Sequence, residues 1–239
     1  MSARPDAARP DAARPDAARP DAARPDAARP DAALVLIEFQ REWLDPEHGR
    51  LNHLVEDRDL LDTAVRGAAA ALASARMHGV PVVHVPLVLT PGAPELASWT
   101  PARLGLRAAI PKAGTWIEGS AGVEFAEAFR PAPGEPVVRG RAGASAFAGS
   151  SDFDLILRRL GVTDLYLAGF ATHVCVESTL REAHDRGYTA HVVHDACAAF
   201  TRGQQEHVRE HVIHHFGAET DAAAFAASLR TAVRATELR

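Results

Sequence analysis

The chain has 239 residues, of which 47% are hydrophobic and 24% are charged, and its formal net charge is −5. The mild acidity, with arginines scattered rather than clustered, argues against nucleic-acid binding, and no apolar run approaches the ~20 residues that span a bilayer. Two cysteines, Cys175 and Cys197, form neither a CxxC pair nor a disulfide framework. We therefore expect a cytoplasmic protein without nucleic-acid or membrane partners.

The chain begins with a repeat. Residues 4–33 are six tandem copies of Arg-Pro-Asp-Ala-Ala. A proline every fifth residue removes a backbone donor and prevents a continuing helix, and alanine is the only apolar side chain available for burial. These features predict a low-complexity, disordered tail over residues 1–32 and one folded domain over residues 33–239. An interaction arm is the less favoured interpretation of the tail.

The first predicted element of the folded domain is a buried strand. Ala33-Leu-Val-Leu-Ile is a continuous apolar run with β-branched residues, as a strand covered on both faces requires, and it stops at Glu38. A helical pattern over 59–78 and a strand over 80–85 follow. Residues 88–117 are rich in Pro, Gly and Trp and lack periodicity, which predicts a lid or pocket wall without regular structure.

Strands and helices continue to alternate in the second half of the chain. The pattern predicts a third strand at 136–138, a helix from Ser151 to Gly161, a strand at 164–168, a helix at 172–186, a strand at 189–194, a helix from Thr201 to Phe216, a last strand at 218–220 and a terminal helix at 221–237. This alternation predicts an α/β fold, a three-layer sandwich with a mostly parallel central sheet and helices on both faces.

Ligands bind such sheets at the carboxyl ends of the strands, which directs attention to Cys175. A strand runs into Gly169, and Cys175 falls in the first predicted turn of the next helix. Free helix N–H groups and the helix macrodipole favour an anion there, so the pKa of the thiol is predicted to fall, and the same groups can receive an oxyanion. An ordinary buried and inert cysteine is the alternative.

Charged side chains at two other strand ends supply what a nucleophilic cysteine needs. Glu38 ends an otherwise apolar strand, where a desolvated carboxylate can serve as general base. Arg139 and Arg141 follow the predicted third strand in a turn of small residues, where a cation can stabilise a thiolate and an oxyanion. The alternatives are a solvated or helix-capping role for Glu38 and a surface position for the arginines, which we prefer for Arg139.

Four sequence blocks together resemble a known family. They are Ala-Leu-Val-Leu-Ile-Glu-Phe-Gln at 33–40, Gly-Arg-Ala-Gly-Ala-Ser-Ala-Phe at 140–147, Gly-Phe-Ala-Thr-His-Val-Cys-Val-Glu-Ser-Thr at 169–179 and Arg-Glu-Ala-His-Asp-Arg-Gly-Tyr at 181–188. In their order and spacing the chain resembles the isochorismatase-like cysteine hydrolases. This family includes nicotinamidases, N-carbamoylsarcosine amidases, and ureidoacrylate and biuret hydrolases.

The resemblance implies a catalytic Asp, Lys and Cys, in which the Cys attacks an amide-type carbonyl and water hydrolyses the thioester. The matching positions here are Glu38, Arg141 and Cys175, so two of the three residue types differ while the sign of each charge is kept. The resemblance also implies an oxyanion hole formed by the N–H groups of Ala171 and Cys175, next to a cis Phe170–Ala171 peptide bond.

These features predict a cofactor-independent hydrolase of a small amide, ureido or carbamoyl compound, with Phe170, Trp99 and Trp116 as substrate contacts. The alternative is a weakened or inactive member that binds a small molecule or a protein. Glu is ~1.5 Å longer than Asp, and a locked pair of Glu38 with Arg141 would leave Cys175 without its base.

Two further expectations concern metal and assembly. Nicotinamidases hold a metal with an Asp and several His residues, and this chain offers no matching pattern. Four histidines at helical spacing are interpreted as a solvated helix face rather than a metal site: His207, His211, His214 and His215. We therefore expect no metal. The resemblance also implies a homo-oligomer, either a dimer or a tetramer.

Overall fold

The centre of the molecule is a parallel β-sheet, seen in a computed structural model that describes residues 31–97 and 104–237, with side chains described up to residue 231. Its strands are Ala32–Ile37 (β1), Val82–Val85 (β2), Asp164–Phe170 (β3), Thr189–Ala198 (β4) and Ala218–Thr220 (β5). They lie in the order β2-β1-β3-β4-β5, and every neighbouring pair is parallel. The predicted α/β class with a parallel central sheet is confirmed.

Helices cover both faces of this sheet. They are Arg41–Leu44 (α1), Arg58–Met77 (α2), Leu106–Ala113 (α3), Phe153–Leu160 (α4), Glu177–Asp185 (α5), Arg202–His211 (α6), Ile213–Phe216 (α7) and Ala222–Glu237 (α8). Single 3-10 turns lie at Asn52–Leu54, Pro94–Leu96, Ala121–Val123 and Glu127–Phe129, and a π-helical turn at Thr172–Val176 leads into α5. The capping box that Thr201 and Gln204 form at the start of α6 agrees with its sequence pattern.

Successive residues of the central strands belong to two separate hydrophobic cores. In β1, Leu34 and Leu36 share a core with residues of α2 and α8, whereas Val35 and Ile37 share the other core with residues of α4, α5 and α6. Successive side chains of a strand point to opposite faces of the sheet. A central strand covered on both faces must therefore be apolar throughout, and the first polar residue after it marks the edge where a site can form.

The segment 88–117 differs from its prediction, because it contains a 3-10 turn and the helix α3. That helix has only eight residues, includes Pro111, and lies between Gly105 (φ 66°) and Gly114 (φ 64°). Since these residues are typical of turns, they hide the helical periodicity in the sequence.

The predicted third strand at 136–138 is also wrong. Val137 forms only an isolated parallel bridge with His84 of β2. The segment therefore extends the edge of the sheet by one residue pair, and the strand after β2 in the chain is Asp164–Phe170.

The start of β1 lies one residue before the predicted domain boundary. Ala32, which belongs to the last repeat copy, is fully buried as the first residue of β1. Apart from Asp31 and Ala32, the predicted tail 1–32 lies outside the described residues. No helix in the described ranges is long and apolar enough to cross a membrane.

Candidate active site

The carboxyl ends of β1 and β3 bring two of the predicted residues to one place. Ile37 of β1 is paired with Gly169 of β3, so Glu38 and the Phe170–Cys175 segment leave the sheet side by side. Gly169 has φ 143°, and a Cβ at this position would lie 2.1 Å from the carbonyl oxygen of Ile37. Only glycine fits this close approach of the two strands.

Glu38 turns away from the strand as soon as the strand ends. Its φ of 59° lies in the left-handed region, which is uncommon for a residue other than glycine and is frequent at functional sites. The Glu38 N–H donates to the carbonyl oxygen of Val85 at 3.0 Å. The side chain is 1% exposed, so its carboxylate depends on protein donors rather than on water.

Two donors hold the two carboxylate oxygens of Glu38. Arg141 donates from Nη2 to Oε1 at 2.6 Å, and Trp43 donates from Nε1 to Oε2 at 2.9 Å. Both members of the ion pair are about 1% exposed. A buried ion pair needs such additional hydrogen bonds to offset the desolvation of its charges. The predicted proximity of Glu38 and Arg141 is therefore observed, as a direct contact.

Arg141 also donates hydrogen bonds to backbone carbonyl groups. Its Nε lies 3.1 Å from the oxygen of Gly143 and 3.2 Å from that of Ser145, and its Nη2 lies 2.7 Å from that of Ala144. The loop from 141 to 149 closes around the guanidinium, with Arg141 and Gly149 forming an antiparallel bridge. This arrangement fixes the cation beneath the site. Arg139, by contrast, is exposed, as expected.

Cys175 lies in the π-helical turn before α5 and is 7% exposed. The charges of Glu38 and Arg141 both act on its thiol. Burial raises the pKa of the Cys175 thiol above its ordinary value, the Glu38 carboxylate raises it further, and Arg141 lowers it only in part. The prediction of a lowered pKa is therefore wrong, because burial and the nearby carboxylate outweigh the cation.

The segment that was expected to form an oxyanion hole has the predicted backbone. The Phe170–Ala171 peptide bond is cis, as the family resemblance implied. Ala171 and Cys175 both line the same cavity as Glu38. The N–H groups of Ala171 and Cys175 therefore lie on residues that face the same space as the thiol.

The cavity beside Cys175 has a volume of about 250 Å³. Trp116, predicted as a substrate contact, is part of its wall, and Trp43 forms another part. Phe170 does not line it. Its ring is fully buried behind Trp43, with ring centroids 6.1 Å apart, so the prediction that it contacts substrate directly is wrong. Trp99 lies outside the described residues.

Sequence reasoning missed Trp43, which donates to Glu38 through its indole N–H and lines the cavity. The available signal was its place five residues after Glu38, in the short helix that begins at Arg41. It also missed the α3 side chains, which form one wall of the cavity.

The other residues considered in the sequence, His173, Cys197 and the histidines of α6 and α7, do not line the cavity. His173 is half-buried, and its ring packs edge-on against Phe200 at 4.5 Å. Cys197 is a free, fully buried thiol. The four histidines of α6 and α7 are exposed. Within the described part of the chain, no group of three or more His, Cys, Asp or Glu residues is placed to hold a metal ion.

Comparison with known proteins places the chain among its relatives. The family model of the isochorismatase domain matches residues 32–224. The chain belongs to the isochorismatase family. Within the family, it is 31% identical over 211 residues to the ureidoacrylate amidohydrolase RutB of Methylobacterium radiotolerans, covering 84% of this chain and 81% of the relative. It is 30% identical to the uncharacterized isochorismatase family protein YddQ of Bacillus subtilis, covering 77% of this chain and 88% of the relative.

Solved structures of other proteins also resemble this isochorismatase-family hydrolase. An N-carbamoylsarcosine amidase from Thermoplasma acidophilum is 27% identical, with a TM-score of 0.60 over 80% of this chain and 96% of its own. A cysteine hydrolase from Pseudomonas syringae pv. phaseolicola 1448A has a TM-score of 0.72 over 85% of this chain and 94% of its own, at 22% identity, and so supports the fold. The predicted family membership is confirmed.

Proposed function

We propose that this protein is a cysteine-dependent hydrolase of a small amide, ureido or carbamoyl compound, acting through a thioester on Cys175. The observation that carries the proposal is that Cys175, Glu38 and a buried Arg141 lie together near the carboxyl ends of β1 and β3, beside a cavity of about 250 Å³. A nucleophile, a base and a cation close to one another are what acyl transfer needs. The amide bond in the names of its relatives supports the class of substrate.

In the first half of the reaction, the Cys175 thiol transfers its proton to Glu38 while its sulfur bonds to the substrate carbonyl carbon. The raised pKa of Cys175 means that the resting thiol is protonated, so the proton leaves during the attack and not before it. The oxyanion then forms near the N–H groups of Ala171 and Cys175. When the C–N bond breaks, Glu38 gives the proton to the leaving nitrogen, and a thioester remains.

In the second half, water replaces the sulfur. Glu38 takes a proton from the water as its oxygen bonds to the thioester carbonyl carbon. The C–S bond then breaks, the acid is released, and Glu38 returns the proton to Sγ of Cys175. Arg141 keeps its positive charge throughout, since guanidinium does not deprotonate in proteins. Its contribution is to offset negative charge on Glu38 and on the sulfur.

The 2.6 Å ion pair between Arg141 and Glu38 favours a second candidate function. If this contact held the carboxylate too firmly to accept the thiol proton, the protein would bind a small molecule without hydrolysing it. The two candidates differ in whether Cys175 ever carries an acyl group.

Trapping that acyl group tests the proposal. The full-length protein is incubated with a panel of small amides and ureido compounds, release of ammonia is measured, and the reaction is quenched with acid for peptide mass analysis. We expect an acyl adduct on Cys175 and its conversion to a hydroxamate when hydroxylamine is added. Hydrolysis that persists in Cys175→Ala, or a wild-type protein that binds these compounds without releasing ammonia, contradicts the proposal. The second result supports the binding function.

The proposal extends to compartment and assembly. Cys175 and Cys197 are both free and buried, which suits a reducing cytoplasm. The family resemblance supports a homo-oligomer, which light scattering of the purified full chain would measure.

A further inference from the structure

The wall of the active-site cavity is almost entirely apolar. Three aromatic side chains from separate parts of the chain face it: Trp43 of α1, Trp116 after α3, and Phe200 after β4. The charged or hydroxyl-bearing side chains among its described lining residues are Glu38 and Thr115. Small-molecule sites obtain their specificity from the few polar groups that they place against a mostly apolar wall.

The helix α3 supplies an aliphatic side of this cavity and continues it to the surface. Leu106 and Ile110 line the cavity one turn apart, and Leu106 is 41% exposed. Leu104, just before the helix, is 86% exposed. Large apolar side chains that are exposed beside a cavity are typical of an entry route for an apolar ligand.

Three arginines near the cavity donate to other groups of the protein. Arg141 is 2% exposed, lies outside the lining, and donates to Glu38 and to four carbonyl groups. Arg50 donates to the carbonyl oxygens of Ala113 and Gly114 at the end of α3. Arg107 donates from Nε to the oxygen of Leu96. Among the described lining residues there is no Lys, Arg or His.

A negatively charged substrate group would therefore meet an unfavourable surface. A carboxylate brought into this cavity would lose its hydration without a counter-ion from the described wall, while Glu38 would repel it. A methyl group at the same place would instead gain contact with tryptophan and leucine side chains. The cavity should therefore bind a compound with a methyl group at this place more tightly than the same compound with a carboxylate.

We propose that this enzyme hydrolyses uncharged amides with an apolar aryl or alkyl acyl group and discriminates against acyl groups that carry a carboxylate. The inference rests on the proposed function and narrows it. It distinguishes this chain from what the name of the ureidoacrylate amidohydrolase describes, since ureidoacrylate is a carboxylate.

Two matched pairs of compounds test the preference. In each pair a methyl group is replaced by a carboxylate at the same position: 4-methylbenzamide with 4-carbamoylbenzoate, and pentanamide with 4-carbamoylbutanoate. A hydrophobic pocket discriminates against an added hydroxyl by about 100-fold, so we expect kcat/KM of the full-length enzyme to favour the methyl member by at least that ratio. Ratios within about tenfold of unity, or in favour of the carboxylate, overturn the inference.

A binding measurement separates the failure of the inference from the failure of the proposed function. Titration calorimetry of Cys175→Ala with the same compounds should give a Kd at least about tenfold lower for the methyl member. Absence of ammonia release together with this binding preference contradicts the hydrolase proposal but supports the inferred preference of the cavity for apolar over carboxylate groups. Equal binding, or no binding by either member, contradicts the inference.

A charge introduced into the wall provides a further test. Leu106→Arg places a cation at the cavity mouth, and we expect it to reduce the preference for the methyl member by about tenfold or more. Leu155→Arg is the matched control, because Leu155 is 50% exposed on α4 and does not line the cavity. An unchanged ratio in Leu106→Arg, or an equal change in both variants, contradicts the assigned role of this wall.

Discussion

The two cysteines of the chain lie at the ends of neighbouring strands and differ in what surrounds them. Cys197, in β4, is paired in register with Gly169 of β3, and Cys175 lies six residues after that glycine. Cys197 is fully buried, and its Sγ lies 3.7 Å from the carbonyl oxygen of Leu167. Cys175 is 7% exposed and faces a cavity.

Burial affects both thiols in the same direction. It raises the pKa of Cys197 to about 12, with a hydrogen bond to the Gly169 backbone opposing the effect and Asp195 adding to it. It also raises the pKa of Cys175. A raised pKa therefore does not distinguish the thiol that we propose as nucleophile from the other one. What distinguishes Cys175 is that it lines a cavity together with Glu38 and lies within the influence of the charges of Glu38 and Arg141.

The largest expected effect comes from removing each thiol in turn. Cys175→Ala should lower kcat/KM by at least about 10⁴-fold, as loss of a nucleophile does in other hydrolases. Cys197→Ala should leave kcat/KM within about threefold of wild type, because its sulfur has no access to the cavity. Steady-state kinetics with circular dichroism of both variants makes the comparison, and equal losses in both would falsify it.

A smaller but still large effect should follow Glu38→Gln. Loss of a general base lowers the rate by about 10²–10⁴-fold. Because the Glu38 carboxylate raises the pKa of Cys175, its removal should also shift alkylation of this thiol by iodoacetamide to lower pH. In wild type, half-maximal alkylation should lie above the ~8.5 of a free thiol.

The control for that experiment is Glu38→Asp, which keeps the negative charge. Glu38→Gln also leaves the buried Arg141 unpaired, so we expect the free energy of unfolding to fall by about 3–5 kcal/mol. Thermal denaturation curves of each variant show at which temperature all of them are folded, and the assays are run there. Alkylation of Cys175 that moves to higher pH in Glu38→Gln would contradict the assigned electrostatics.

Trp43→Phe should have an intermediate effect. It removes the 2.9 Å bond from Nε1 to Glu38 but keeps an aromatic ring in the cavity wall. A hydrogen bond to a charged group contributes about 1.5–3 kcal/mol, so we expect kcat to fall by about tenfold or more while KM changes by less than about threefold. Trp116→Phe is the matched control, since no hydrogen bond joins Trp116 to Glu38 among the contacts of the described residues. A fall confined to KM would assign Trp43 to substrate contact alone.

The smallest expected effect concerns stability. Cys197→Ala removes a sulfur from the packed sheet and should lower the free energy of unfolding by about 1 kcal/mol. Cys175→Ala should cost less, because its sulfur borders a cavity and is desolvated beside a carboxylate, an arrangement that serves function more than stability. Urea denaturation of the two variants measures the difference, and a larger cost at Cys175 would show that its thiol is mainly structural.

The sequence predicts which polar residues lie at this site better than it predicts the side chains that form the cavity wall. Glu38 was predicted at the site because a polar residue directly after a strand buried on both faces lies at the edge of the sheet where ligands bind. Cys175 was predicted there because it follows a central strand after a short turn. The electrostatic outcome was not predictable in the same way. The pKa of Cys175 depends on how deeply the thiol is buried and on the nearby charge of Glu38, and both are set by tertiary packing.

The walls were harder to predict because their signals are short or hidden. The helix α3 is brief, contains Pro111 and lies between two glycines, so its pattern is that of a loop. Phe170 was expected to contact the substrate, yet its ring packs inward against that of Phe39, with the ring centroids 5.1 Å apart. Which way an aromatic ring turns at the end of a strand depends on its neighbours on the sheet and not on the spacing in the sequence.

The helix α3, bounded by Gly105 and Gly114, also bears on how such enzymes diverge. Glu38 and Cys175 are anchored to the ends of central strands, whereas α3 is joined to the rest of the chain through two glycines and forms part of no strand. Substitutions in this helix can therefore change one wall of the cavity while the strand ends next to Glu38 and Cys175 keep their positions. One side of the pocket is thus free to vary independently of the sheet edge on which the proposed chemistry depends.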